Sequence, residues 1–266
     1  QISGLDTPIV RGPNPGEEIP RPPTQPPTST VVTYNVGWNI ISNPTTTNGL
    51  GFGTVFGTDL TKGSSFKFNG GYEPIAIMQA PVFGEGYWVN LKEDAFDGSF
   101  EKNYQYPGEI FDSNVTINVI EGWNMIPSLG VPTYPVSNTA NISNNTTFGF
   151  DGSYFDVNVL QPGKGYWIYV KEDGDIKLNN QGTPIGLANL NEDFKQISIA
   201  TSDTTQNVFF DGTNTNPNIN IQEAFLPPSI GELFDVRINQ DETNISLRNL
   251  RAVESNTINI DVQQID

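Results

Sequence analysis

Val36-Gly-Trp-Asn-Ile-Ile-Ser42 and Glu121-Gly-Trp-Asn-Met-Ile-Pro127 are two copies of one stretch, and their relation decides how the rest of the chain is read. Each copy is followed by an aromatic turn block, Phe66-Lys-Phe-Asn-Gly-Gly-Tyr72 in the first and Phe148-Gly-Phe-Asp-Gly-Ser-Tyr154 in the second. Each then ends in a Gly-Tyr-Trp block, Gly84-Glu-Gly-Tyr-Trp-Val89 and Gly163-Lys-Gly-Tyr-Trp-Ile168, with Lys92-Glu-Asp94 and Lys171-Glu-Asp173 behind. The offset is 85 residues at Trp38/Trp123, 82 at Asn69/Asp151 and 79 at Trp88/Trp167, so block order is kept while the intervening loops change length. Self-similarity of this kind marks tandem structural units. They run over about residues 31–107 and 108–187 and hold all four tryptophans of the chain.

Within the units, short β-rich runs alternate with turn dipeptides. Asn48-Gly49, Asn69-Gly70, Asp97-Gly98, Asp151-Gly152, Asp173-Gly174 and Asp211-Gly212 are hairpin-type turns, because these residues tolerate the positive φ that tight turns demand. The runs between them predict strands at Val31 to Val36, Tyr87 to Lys92, Val115 to Ile120, Tyr166 to Lys171, Ile197 to Thr201 and Thr257 to Val262. In the last, Ile258, Ile260 and Val262 alternate with polar residues, the sign of a half-buried strand. The expected fold class is all-β, with tandem β-sandwich-like modules and an extended Pro-rich N-terminal arm. Residues 188–266 carry strand and turn signals but no Gly-Tyr-Trp block, and read as a separate C-terminal β-domain.

The arm covers residues 1–30 and holds eight of the 20 prolines. Proline fixes φ and lacks the donor that a ladder needs, so this piece is expected to be extended and polyproline-like. Ile2, Leu5, Ile9 and Val10 lie beyond the stiff part and form an apolar tip that could dock on a neighbouring subunit, although a plain spacer has the same composition.

Composition closes several function classes. The chain of 266 residues has 30 Asp and Glu against 13 Lys and Arg, a net charge of -17 that would repel nucleic acid and anionic membrane surfaces. It contains no histidine and no cysteine, which removes imidazole general bases, Ser-His-Asp and Cys-His nucleophiles, disulfides and thiolate metal sites. No apolar run is long enough for a membrane-spanning helix, so no membrane insertion is expected. The chain begins at Gln1, as a secreted protein would after loss of its signal segment. Aromatic residues make up 11% of the chain, enough to argue for packed cores joined by many turns rather than disorder.

Each repeated block pairs glycine with an aromatic. Tyr87-Trp88 and Tyr166-Trp167 stand on adjacent strand positions, so one member of each pair is expected to anchor the core and the other to face outward. An outward aromatic would offer a stacking platform for polysaccharide. Asp211 to Asn218 is rich in oxygen donors but lacks a calcium-loop spacing and a closing acid, and Glu93, Asp94, Asp173 and Asp175 read as solvated turn charges, so neither metal nor cofactor is expected. Many carboxylate pairs exist, and no spacing singles one out as a glycosidase acid and base, so no catalytic residue is assigned. Five Asn acceptor sequons occur, at Asn114, Asn141, Asn144, Asn145 and Asn244, and the Asn141 to Thr147 cluster reads as a loop between strands.

The blocks resemble a β-rich repeat of secreted and surface proteins of bacteria, in which a Gly-Trp-Asn-hydrophobic segment precedes a Pro-Gly-Lys-Gly-Tyr-Trp segment. The match is closest at Gly122-Trp-Asn-Met-Ile126 and Leu160-Gln-Pro-Gly-Lys-Gly-Tyr-Trp-Ile168, and the first copy departs from it at Val82-Phe-Gly-Glu-Gly-Tyr-Trp88. Phe225-Leu-Pro-Pro-Ser-Ile-Gly-Glu-Leu-Phe-Asp-Val-Arg237 is similar to a segment near the end of such exported multi-module proteins. The resemblance implies an extracellular or cell-surface location and accessory rather than catalytic modules. The expectation is therefore a non-enzymatic extracellular structural protein, a subunit of a surface filament, tube or layer whose partners are copies of itself. The alternative is a carbohydrate-binding accessory or adhesin module that uses the exposed aromatics of the Gly-Tyr-Trp blocks.

Overall fold

The Gly-Trp-Asn block builds a corner between two strands. In the computed structural model, which describes residues 29–46, 51–76, 78–82, 84–181, 195–202, 205–211, 226–230, 235–239, 246–247, 249–251 and 259–263, strand β1 (Ser29–Asn35) turns into β2 (Gly37–Ile41) at Gly37. Gly37 has φ of 83° and its counterpart Gly122 has φ of 101°, left-handed values that a side chain would strain. Two residues on, the Asn39 amide fastens the corner. Its Nδ2 donates to the Asn35 and Gly37 carbonyls at 2.8 and 3.0 Å, and its Oδ1 accepts from the Asn35 N–H at 3.1 Å. Asn124 repeats the three bonds on Ile120 and Gly122 at 2.8, 3.1 and 3.1 Å. The Asn of the motif is thus a backbone staple, which satisfies groups that the turn would otherwise orphan.

From these corners the two repeats build the same sheet. In repeat 1, β2 is followed by the short helix α1 (Phe52–Phe56), β3 (Leu60–Phe68), β4 (Tyr72–Pro74), β5 (Tyr87–Leu91) and β6 (Glu101–Pro107). In repeat 2, β7 (Val115–Val119), β8 (Gly122–Pro127), β9 (Tyr134–Ser137), β10 (Ile142–Phe150), β11 (Tyr154–Asp156), β12 (Gly165–Val170) and β13 (Gly174–Asn179) follow in turn. The four-stranded sheets have orders β2-β5-β3-β4 and β8-β12-β10-β11, antiparallel throughout, and both long strands slip register at matching places, between Leu60 and Ser65 and between Ile142 and Thr147. The small sheets differ. Among the described residues, β7-β13-β9 has three strands and β1-β6 has two, and repeat 1 carries α1 where repeat 2 carries β9.

Side chains alternate across each large sheet into different cores. Tyr34, Ile41, Phe52, Phe56, Tyr87, Val89, Leu91, Tyr104 and Tyr106 fill the space between the two sheets of repeat 1, and Ile126, Leu160, Tyr166, Ile168, Val170, Ile176 and Leu178 do so in repeat 2. The opposite faces of the large sheets meet each other in a third core of Trp38, Ile40, Trp88, Met125, Phe148 and Trp167. The approach is close and nearly two-fold. A Cβ on Gly86 would lie 2.9 Å from the Ile126 carbonyl oxygen, and one on Gly165 would lie 2.7 Å from that of Ile41, its equivalent. Equivalent residues contact equivalent residues, as across an isologous dimer interface, but within one chain.

The third region contributes β14 (Lys195–Ala200), β15 (Thr205–Asp211), β16 (Asp235–Asn239), β17 (Ser246–Leu247), β18 (Asn249–Arg251) and β19 (Asn259–Gln263) in two small sheets, β14-β15-β18 and β17-β16-β19. The buried Gln206 amide links them, donating to the Val236 carbonyl at 2.8 Å and accepting from its N–H at 2.9 Å. The all-β expectation holds, and the predicted runs coincide with β1, β5, β7, β12, β14 and β19 to within one or two residues. The Asn141 to Thr147 cluster is corrected: most of it belongs to strand β10 rather than to a loop.

Candidate functional site at the seam of the repeats

The seam between the large sheets is where the sequence motifs converge. Tyr87 and Tyr166 point into the core of their own repeat, where their hydroxyls accept from the Val82 and Gln161 N–H groups at 2.8 and 2.7 Å. Trp88 and Trp167 point the other way, into the other repeat. Trp88 meets the Phe150 ring at 4.9 Å and 75°, and Trp167 meets the equivalent Phe68 at 4.8 Å and 77°. All four residues of the Tyr-Trp pairs are buried, at 0, 0, 3 and 0% exposure. The expectation that one member of each pair faces solvent is therefore corrected. The outer face of each large sheet is not solvated but covered by the duplicate sheet, which leaves no ring of these pairs for a polysaccharide to stack on. Among the described residues, both buried indole Nε1–H groups have no hydrogen-bond partner.

A third element closes the seam. Leu226 and Ile230 are buried among the aromatic residues of the shared core, and the segment between them is gripped at its backbone. The Pro228 carbonyl accepts from the Tyr72 hydroxyl at 2.6 Å and from the equivalent Tyr154 hydroxyl at 3.1 Å, while the Pro227 carbonyl accepts from Arg237 Nη2 at 2.6 Å. One carbonyl shared by two equivalent tyrosines places Pro228 on the pseudo-two-fold axis. The Phe225 to Arg237 segment that stands out in the sequence is, over Leu226–Ile230, a pin across both repeats.

Two clefts flank the axis and are themselves equivalent. One, of about 320 Å³, lies between the β3–β4 turn, Glu85 and the β7–β8 corner at Asn124. The other, of about 430 Å³, lies between Phe150, Asp151, Phe155, Lys164 and the β1–β2 corner at Asn39. Lys164 crosses the seam: its ammonium sits 4.4 Å from the centroid of the Tyr34 ring and donates to the Thr33 carbonyl. Loss of hydration pushes its pKa down to about 8, against the pull of Glu101 and Asp151. Tyr34 in turn donates to the Gly163 carbonyl at 2.6 Å, so the hydroxyl of Tyr106, 2.8 Å away, donates to Tyr34. Burial and the neighbouring Tyr106 raise the Tyr34 pKa well above its ordinary value, so the pair stays neutral.

The remaining candidate residues fall elsewhere. Ile2, Leu5, Ile9 and Val10 and sequon residue Asn244 lie outside the described residues. Asn114 and Asn141 are exposed, and Asn144 and Asn145 belong to β10. The hydroxyl residues that complete three of these sequons, Ser143, Thr146 and Thr147, are buried, and Thr146 Oγ1 donates back to the Ser143 carbonyl at 2.7 Å. Among the described residues no group of three or more Asp and Glu gathers as metal ligands would. Sequence reasoning missed Tyr72, Tyr154 and Phe155. The first two were legible as matched members of the aromatic turn block, and the third as a position where the repeats differ, Glu73 against Phe155. Compared with known proteins, the chain matches no family model, no curated sequence and no solved structure.

Proposed function

We propose that the protein is a non-enzymatic structural subunit of an extracellular filament, tube or layer, assembling with copies of itself through its N-terminal arm and an open strand edge. The observation that carries this reading is the incomplete small sheet of repeat 1. In repeat 2 the central strand β13 pairs with β7 on one side and β9 on the other, whereas its counterpart β6 pairs with β1 alone among the described residues. Helix α1 replaces the missing strand only as core filling: Phe56 packs on Tyr104 and Tyr106 at 4.9 and 6.3 Å without adding a strand to the ladder. An unpaired edge of this kind is a template for strand addition.

The arm supplies the complement. It runs directly into β1, whose first residue Ser29 pairs with Pro107 at the end of β6, so donor and acceptor belong to one small sheet. The 28 residues ahead of Ser29 would span roughly 85 Å at the polyproline rise of about 3.1 Å per residue, enough to reach a neighbouring copy. A head-to-tail contact, in which each copy gives its arm to one neighbour and receives the arm of another, propagates where the rotation between copies does not close a ring. Val31 and Phe100 flank the acceptor sheet and are 61 and 82% exposed, apolar surface that an incoming segment would cover. The shared core, which every tryptophan serves, suits a subunit that must transmit force along a polymer. Removal of residues 1–28 tests the reading by sedimentation velocity. The whole chain is expected to give large, concentration-dependent species and the truncated chain a folded monomer; large species from the truncated chain would refute the arm's role.

A further inference from the structure

The two repeats differ most informatively at the seam clefts. In repeat 1 the β3–β4 hairpin carries Lys67 and Glu73 directly opposite each other, paired at 3.0 Å. In repeat 2 the same two positions are Gly149 and Phe155, again directly opposite each other. The Phe155 ring lies across the glycine, where a Cβ would stand 2.5 Å from its Cζ, so the ring is laid over the strand with no side chain beneath it. It nevertheless remains 42% exposed. A salt-bridged surface in one copy has become an aromatic platform in the other.

The platform forms a wall of the larger cleft, whose about 430 Å³ lies within the range of small-molecule sites, roughly 300–1,000 Å³. The polar part of the lining is Asn35, Asp151, Asp156, Asn158, Gln161 and Lys164. Carboxylates accept hydrogen bonds from hydroxyl groups, and side-chain amides both donate and accept, so this set matches a ligand with many hydroxyl groups. Its mixed charge disfavours a strongly anionic or cationic ligand. An aromatic face beside such groups is the complement of a sugar ring, which has an apolar C–H face and a hydroxylated rim. In repeat 1 the position of Phe155 is held by Glu73, paired with Lys67, so no ring lies over that hairpin.

We propose that the repeat 2 cleft is a saccharide-binding site, with Phe155 stacking on a neutral sugar ring and Asp151, Asp156, Asn158 and Gln161 taking its hydroxyls. The site is independent of assembly and differs from the Tyr-Trp pairs, which are buried. Its test is affinity electrophoresis of the full chain in native gels containing soluble β-glucan, galactomannan or dextran, each against a gel without polysaccharide. Retardation in at least one gel is expected. In that gel Phe155→Glu, which installs the repeat 1 residue, is expected to abolish retardation, and Phe155→Trp to retain it. The variant Glu73→Gln, at the matching strand position of repeat 1, is expected to migrate as the parent does. Retardation in none of the gels, or retardation that survives Phe155→Glu, would overturn the proposal. Mobility is read, with and without polysaccharide, on the fraction of the full chain left in the supernatant after ultracentrifugation, so assembled material that cannot enter a gel stays out of the comparison.

Discussion

Replacing Trp167 by alanine should weaken both repeats at once, although the residue belongs to the second. Its ring touches Phe68 and Tyr72 of repeat 1 at 4.8 and 6.3 Å and Trp123 of its own repeat at 6.2 Å. Emptying a fully buried aromatic site costs about 3–5 kcal/mol. Two features set where in that range the value falls. Each aromatic pair adds about 0.5–1.5 kcal/mol beyond area, which raises the loss. The indole Nε1–H has no partner among the described residues, so its removal also relieves a buried polar group worth about 1–3 kcal/mol, which lowers the loss. We expect about 3 kcal/mol for Trp167→Ala and a smaller loss for Trp167→Phe, which keeps an aromatic ring and discards the orphan donor. The assay is urea unfolding followed by far-ultraviolet circular dichroism on the single variants and on the Trp167→Ala/Phe68→Ala pair. One transition spanning both repeats and a coupling of about 1 kcal/mol are predicted. Two separable transitions, or additivity within about 0.3 kcal/mol, would refute the shared core.

Three further outcomes follow from the geometry. Asn39→Ala and Asn124→Ala each delete three bonds to backbone at a strand corner, and each should cost about 1–3 kcal/mol in urea melts, with Asn→Asp recovering little because the donor half is lost. Tyr72→Phe and Tyr154→Phe share one acceptor, so either alone should cost under about 1 kcal/mol while the pair together costs more than the sum; hydrogen exchange at Val236, near the pin, reads the loss of docking. Stability should depend on alkaline pH in two opposed ways. Lys164 has a folded pKa pushed down to about 8, below its unfolded value of about 10.4, so the folded state binds fewer protons in that window and stability rises from pH 8 towards 10. Tyr34, Tyr87, Tyr104, Tyr106 and Tyr166 have raised values, Tyr166 to about 12, so their stabilisation is lost as pH climbs above 10. Urea midpoints at pH 7, 9 and 11 should therefore peak at 9, and Lys164→Met should flatten the rise.

The repeat, the strands and most turns were legible because they depend on local chemistry. Asn69-Gly70 and Asp151-Gly152 do join β3 to β4 and β10 to β11, and Asp97 does adopt a left-handed φ of 48°. What sequence could not give was the second face of each sheet. Alternation says that Tyr87 and Trp88 point to opposite sides, but only the arrangement of the duplicates says that the far side is another protein layer and not water. The same limit applies to Ser143, Thr146 and Thr147, whose polar run imitates a loop. In β10 the hydroxyls of Thr146 and Thr147 turn inward at a register slip, and Thr146 finds a backbone partner. The Leu226–Ile230 pin was visible as a proline pair between apolar residues, but its target exists only once Tyr72 and Tyr154 are brought together.

Self-assembly through the arm is the central functional claim, and negative-stain electron microscopy of the purified full chain tests it most directly. Regular filaments, tubes or sheets are predicted, with spacing set by one subunit and lost when residues 1–28 are removed. A field of dispersed monomers from the full chain at every concentration, or identical polymers from the truncated chain, would contradict it.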